Sequence, residues 1–160
     1  MTHQDSIAAI IFHLLKLSDK SLESFKKGNP FDKLLRSYSE FNSCGEPLYK
    51  NKRCAKHYQF SEKAWEEYMS KKSVKMLYAE HVVPLSIIKR NILIRKFNTL
   101  NSIKKYLKEN NYVVMITKRE QKIIDKKFKS KLPRNRVTRL EYFNIKTSDN
   151  TKHNSLKCIK

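Results

Sequence analysis

Apolar residues in the first half of the chain recur every three to four positions, the spacing of amphipathic helices. Ile7, Ile10, Ile11, Leu14, Leu15 and Leu17 fall on one such face, with Asp5 or Ser6 placed to cap it. Gly28-Asn-Pro30 ends that region. Phe31, Leu34, Leu35, Tyr38 and Phe41 then mark a second amphipathic helix, broken by Asn42-Ser-Cys-Gly-Glu-Pro47. Residues 48–60 read as a loop, and Ser61 caps a third helix carrying Trp65 and Met69. His13, within the first apolar stripe, and Trp65 both read as core residues.

Beyond residue 73 the period changes. Val74–His81 reads as a short strand, and Pro84 and Ser86 open a helix to about Phe97. Thr99 or Asn101 caps the next helix, which stops at Asn110-Asn111. Tyr112-Val-Val-Met-Ile116, β-branched and uncharged, is the clearest strand of the chain. Thr117 follows as the cap of KREQKIIDKKF, with Glu120 completing a capping box, and Leu132-Pro133 closes that helix. The pattern predicts an α+β, mostly helical fold in a single domain over residues 1–146. Within it lie a helical subregion over 1–72 and a strand-strand-helix unit over 76–133, and a polar tail covers 147–160.

Charge narrows the functional classes. Lys and Arg number 35 against 15 Asp and Glu, a net +20, while 39% of residues are hydrophobic, too many for a disordered polycation. Residues 1–85 hold 14 basic and 10 acidic side chains, and residues 86–160 hold 21 and 5. A general lysine bias would load both halves, so the asymmetry points to a polyanion, nucleic acid first, met by the second half. Only Gly28 and Gly45 occur, which excludes Gly-rich phosphate loops. Cys44, Cys54 and Cys158 are too few and odd in number for a disulfide framework, favouring a reducing cytoplasm. The start, MTHQDSIAAIIFHLLKLSDK, lacks the features of a secretory leader and is too short to span a bilayer, so no membrane partner is expected.

One stretch carries candidate chemistry: Tyr78-Ala-Glu-His-Val-Val-Pro-Leu-Ser-Ile-Ile-Lys-Arg90. An arbitrary Glu-His pair at a strand end is more often simply solvated. Phosphodiester hydrolysis, however, needs a base to take a proton from water and a divalent cation to stabilise charge on the phosphate. A neutral histidine suits the first task near pH 7, and a carboxylate is a hard ligand for magnesium. Cys44, Cys54 and His57 suggest a competing zinc site, but they lack the short Cys-x-x-Cys spacing and a fourth ligand, so structural zinc is disfavoured.

YAEHVVPLSIIKR resembles the Asp-His-Ile-Val-Pro segment of HNH endonucleases, the ββα-metal or His-Me finger group, and VVMITKREQKIIDKKFKSKLP resembles the strand and helix that follow in that family. The likeness spans residues 76–133. It implies a ββα-metal unit in which His81 is the general base and Glu80 a metal ligand. Gln121 falls near the family's closing His or Asn ligand with Glu120 beside it, and Glu120 or Asp125 is the alternative ligand should glutamine not serve. The family's intervening asparagine has Asn91, Asn98 and Asn101 as candidates, none fitting well. The resemblance further implies Mg2+ or another divalent cation.

The functional expectation is a metal-dependent endonuclease hydrolysing DNA, of a restriction, defence or mobile-element kind. Lys118, Arg119, Lys122, Lys126, Lys127 and Lys129 would hold phosphates, and Lys131, Arg134, Arg136 and Arg139 would extend the same surface. Two alternatives stand beside it: a non-catalytic nucleic-acid-binding protein with a degenerate HNH-like fold, and a ribonuclease toxin. The helical N-terminal region would serve as a dimerisation or DNA-reading module, making a homodimer a further expectation.

Overall fold

Thr2, rather than Asp5 or Ser6, starts the first helix. Its hydroxyl accepts from Asp5 N–H at 3.1 Å while the Asp5 carboxylate accepts from Thr2 N–H at 3.1 Å, a reciprocal box that puts Asp5 inside the first turn. In the computed structural model the described residues are 1–17, 30–42, 44–45, 58–95, 97–134 and 137–148, together with Glu23 and Phe25. Helix α1 (His3–Leu14) is followed by α2 (Pro30–Glu40), strand β1 (Gln59–Phe60), α3 (Glu62–Lys71) and β2 (Leu77–His81). Then come α4 (Leu85–Arg95), α5 (Leu100–Asn110), β3 (Val113–Thr117), α6 (Lys118–Phe128) and the short α7 (Arg139–Tyr142). The architecture is α+β and mostly helical, as the pattern predicts.

The sheet has the order β1-β3-β2. β2 runs antiparallel to β3 with Glu80 opposite Val114 and His81 opposite Val113, and β1 runs parallel to β3. Alternation along β3 divides the sheet's faces. Val113 and Met115 pack with Phe60, Ala64 and Tyr68 beneath α3, whereas Val114 and Ile116 pack with Val82, Ile124 and Leu140 beneath α6 and α7. A third cluster, helical throughout, joins Ile7 and Ile11 of α1, Phe31 and Leu35 of α2, Ile88 and Ile92 of α4, and Ile103 and Leu107 of α5. This explains the long connection between β2 and β3. Residues 82–112 leave the sheet to build the helical layer, then return as the central strand.

Three local expectations change. Gln59 and Phe60 are a strand rather than loop, because β3 offers a backbone edge and Phe60 is wholly buried there. His13 is exposed: it lies about 200° round α1 from Ile11, away from the apolar face. Cys44 is disulfide-bonded, so it is not the reduced thiol expected and has no thiolate to offer zinc. Cys54, His57 and Cys158 lie outside the described residues. Among the described residues no helix is long and apolar enough to cross a membrane.

Candidate functional site

Neighbouring side chains on a strand point to opposite faces, so Glu80 and His81 should part company. They do: Glu80 lies on the α6 side with Tyr78 and Val82, and His81 turns toward α2. Both nevertheless line one cavity of about 390 Å3, because β2 is an edge strand and the cavity opens along its unpaired side. Arg36 from α2, Gln121 and Asp125 from α6, Lys129 and Arg139 share its polar lining with Tyr78, Ser86 and Ser130.

His81 is 8% exposed, and its Nε2 lies 2.9 Å from Ser39 Oγ and 4.0 Å from Glu40 Oε1. Burial pushes its pKa down to about 3, helped by the positive charges of Arg36 and Arg139, so the ring is neutral at pH 7. Ser39 has one hydroxyl proton and stands 3.2 Å from the Leu35 carbonyl. With that proton on Leu35 O, His81 donates from Nε2 and its Nδ1 carries the lone pair. Asn111, buried at the entrance to β3, donates to the same Leu35 carbonyl at 2.8 Å and so ties the sheet to α2.

Glu80 is 5% exposed and in ion-pair contact with the Arg139 guanidinium. Burial raises its pKa to about 7. Arg139 works against that shift, and Asp125 adds to it. Arg139 is buried as well, and it donates to the carbonyls of His81, Phe128 at 3.0 Å and Lys129 at 3.2 Å. It therefore clamps the end of β2 to the end of α6 and is no part of an exposed phosphate-binding surface, correcting its expected role. Its position follows from Thr138 and Glu141, which form a capping box that starts α7. That Thr-x-x-Glu signature stands in the sequence and marks an element that periodicity missed.

The expected metal set of Glu80, Glu120 and Gln121 is not assembled. Glu120 is 6% exposed, and its Oε2 accepts from Thr117 N–H at 2.8 Å, Thr117 Oγ1 at 2.9 Å and Ser61 Oγ at 2.8 Å. It lines a different cavity, beside Glu62 and Lys63. The capping box read from the sequence is what holds it away. Gln121 does reach the cleft, where its Nε2 donates to Asp125 Oδ2 at 2.9 Å. The carboxylates the cleft offers are thus Glu80 and Asp125, and their charges influence each other. No cluster of three or more His, Cys, Asp and Glu side chains suited to a metal occurs among the described residues. Two carboxylates still match the donor chemistry of Mg2+, which takes one or two such ligands and fills its shell with water and phosphate oxygens. Asn91, Asn98 and Asn101 are not among the residues lining the cleft.

Lys118, Arg119, Lys122, Lys126, Lys127, Lys129, Lys131 and Arg134 are all exposed, and Arg136 lies outside the described residues. At about 100° per residue, Lys118, Arg119, Lys122, Lys126 and Lys129 occupy a stripe about 100° wide on α6, next to the Gln121–Asp125 edge. Lys127 points elsewhere, its ammonium meeting the Tyr142 hydroxyl and lying 4.6 Å from that ring's centre. Sequence reasoning gave no functional weight to Arg36, Ser39 or Glu40. A serine on the buried face of an amphipathic helix was the available signal, since a buried hydroxyl needs a partner. Comparison of the chain with family models, curated proteins and solved structures yields no match.

Proposed function

We propose that this protein is a metal-dependent endonuclease of HNH-like ββα design that hydrolyses DNA phosphodiester bonds in the cleft along β2. The observation that carries the reading is the convergence of Glu80, His81, Gln121 and Asp125 on one polar cavity bordered by Arg36, Lys129 and the α6 basic stripe. A divalent cation would be held by Glu80 and Asp125, and when bound it would offset negative charge on the phosphate. His81 is the proton acceptor. Its low pKa makes it a weak base in the free protein, but an anionic phosphate entering a desolvated cleft favours the imidazolium and raises its basicity. Ser39 fixes the ring by its hydrogen bond to Nε2. Arg36 and Lys129 meet the non-bridging phosphate oxygens.

A second reading, non-catalytic nucleic-acid binding, draws support from Arg139, which already supplies a cation to Glu80. Incubation of the purified protein with supercoiled plasmid and with RNA, each with Mg2+, Mn2+ or chelator, separates the two. Metal-dependent nicking or linearisation of the plasmid is expected. No cleavage of either polymer under any condition would leave only the binding reading, and chelator-resistant cleavage of RNA would favour a ribonuclease.

A further inference from the structure

A groove on the far side of Ser39 has no part in the cleft chemistry. It consists of two cavities, about 270 and 410 Å3, that share Gln4, Tyr38 and Lys108 and so run into one another. The inner one is walled by four aromatic rings, Tyr38, Phe41, Tyr58 and Tyr112, and the outer one by lysines of α5. Of these lysines, Lys104 is paired with Asp5 at 2.8 Å, while Lys105 and Lys108 are exposed. Ser39, the residue whose hydroxyl holds His81, lines the inner cavity, so the aromatic groove and the cleft meet across the Ser39–His81 hydrogen bond.

We propose that this groove binds a single-stranded segment of nucleic acid, with Lys105 and Lys108 meeting its phosphates and Tyr112 and Tyr38 stacking on its bases. Aromatic faces beside a basic rim suit a strand whose bases are unpaired, because a duplex keeps its base faces covered by its own stacking. An apolar peptide would use the rings but not the lysine rim, and a chain of net +20 selects the polyanion. The placement implies that the substrate is single-stranded or locally opened where it enters the cleft. This rests on the proposed nucleic-acid substrate but not on its hydrolysis.

Fluorescence anisotropy of the full chain in chelator tests it, using labelled oligo-dT of about twelve nucleotides, RNA of the same length and a blunt duplex. At least one single strand should bind about tenfold tighter than the duplex, the better of the two identifying DNA or RNA as the source. Tyr112 is 39% exposed, so its replacement is tolerated by the fold, which a thermal melt verifies. Tyr112→Ala should weaken single-strand binding about tenfold and duplex binding less than twofold, and Tyr112→Trp should restore it. Duplex binding as tight as both single strands, or Tyr112→Ala affinity within twofold of the parent, overturns the groove. Plasmid cleavage alongside either result would leave the nuclease standing without it. The expected binding without cleavage under any metal would remove the nuclease and keep the groove.

Discussion

Glu80 and Glu120 are buried almost equally, at 5% and 6% exposure, and each sits at the junction of a strand with a helix packed on it. Their surroundings assign them opposite work. Three donors converge on one oxygen of Glu120, two from its own capping box and one from Ser61, so the carboxylate is consumed in starting α6 and joining it to α3. Glu80 meets a single buried guanidinium and otherwise faces a cleft shared with Asp125. Burial raises its pKa to about 7. A carboxylate saturated by local donors is structural, whereas one left short of donors beside open space is available for chemistry.

The cleft side of this comparison yields the largest expected effect. His81→Ala should lower plasmid cleavage by a factor of about 10²–10⁴ while leaving duplex affinity within about twofold, because a base contributes in the transition state and little to ground-state binding. Nicking rates at saturating protein, set against anisotropy, check both halves. Undiminished cleavage would return the Glu80–His81 pair to a purely structural role.

Arg139 decides how much of the cleft's order is electrostatic. Arg139→Met should destabilise the fold by about 3–5 kcal/mol in urea melts, because it strands the Glu80 charge and leaves three carbonyls without their donor. The Glu80→Gln, Arg139→Met double variant should cost clearly less than the two single changes added together, since each partner is costly chiefly when the other stays behind. Additive losses would mean that the pair is uncoupled.

Glu120→Gln sharpens the contrast directly. It should cost about 1–2 kcal/mol of stability through the weakened box and the Ser61 bond, yet leave cleavage per folded molecule unchanged. Glu80→Gln should instead abolish cleavage. Equal loss of cleavage in both variants would erase the distinction between cap and cleft.

Titration reports on the same residues. The folded pKa of His81, about 3, lies below its unfolded value of 6.5, so its contribution to stability is full above pH 6.5 and is lost as pH falls toward 3. Glu80 has the opposite sign: its folded pKa, about 7, exceeds the unfolded 4.5, so its contribution is full below pH 4.5 and is lost as pH rises through 7. The two oppose each other between pH 4.5 and 6.5. Removing Glu80's titration with Glu80→Gln should therefore steepen the rise of Tm with pH across that window, and a flatter curve than the parent's would contradict the assignment.

How far this arrangement could be read in advance depended on the range of the interactions. β3, α6 and the Thr117–Glu120 box are local patterns, and the sequence predicts them to within a residue or so. The same box was legible as a reason to exclude Glu120 from a metal site, because a carboxylate accepting from its own N-cap is already engaged. Arg36 and Arg139 reach the cleft, and Ser39 reaches His81, only through tertiary packing, from α2 some 40 residues before His81 and from α7 almost 60 after it. No spacing rule joins such segments. Charge counting likewise could not separate Arg139, buried against Glu80, from the exposed lysines before it.

The smallest expected effect concerns those lysines. Lys122 lies within the α6 stripe and is exposed, so Lys122→Ala takes one ammonium away from the phosphates without touching the core. Removing a single lysine–phosphate pairing on duplex DNA should reduce the slope of log K against log salt by about 0.9, and affinity should weaken by a similar factor for every sequence tried. Lys71 on α3 is the control: it is also exposed, lies off the stripe and is paired with Glu67 at 2.7 Å. Lys71→Ala should leave the slope where it is. If both replacements shift the slope equally, binding answers to net charge alone and the stripe has no positioning role. If only Lys122→Ala does, the phosphate path runs along α6, next to the carboxylates that the comparison with Glu120 singles out.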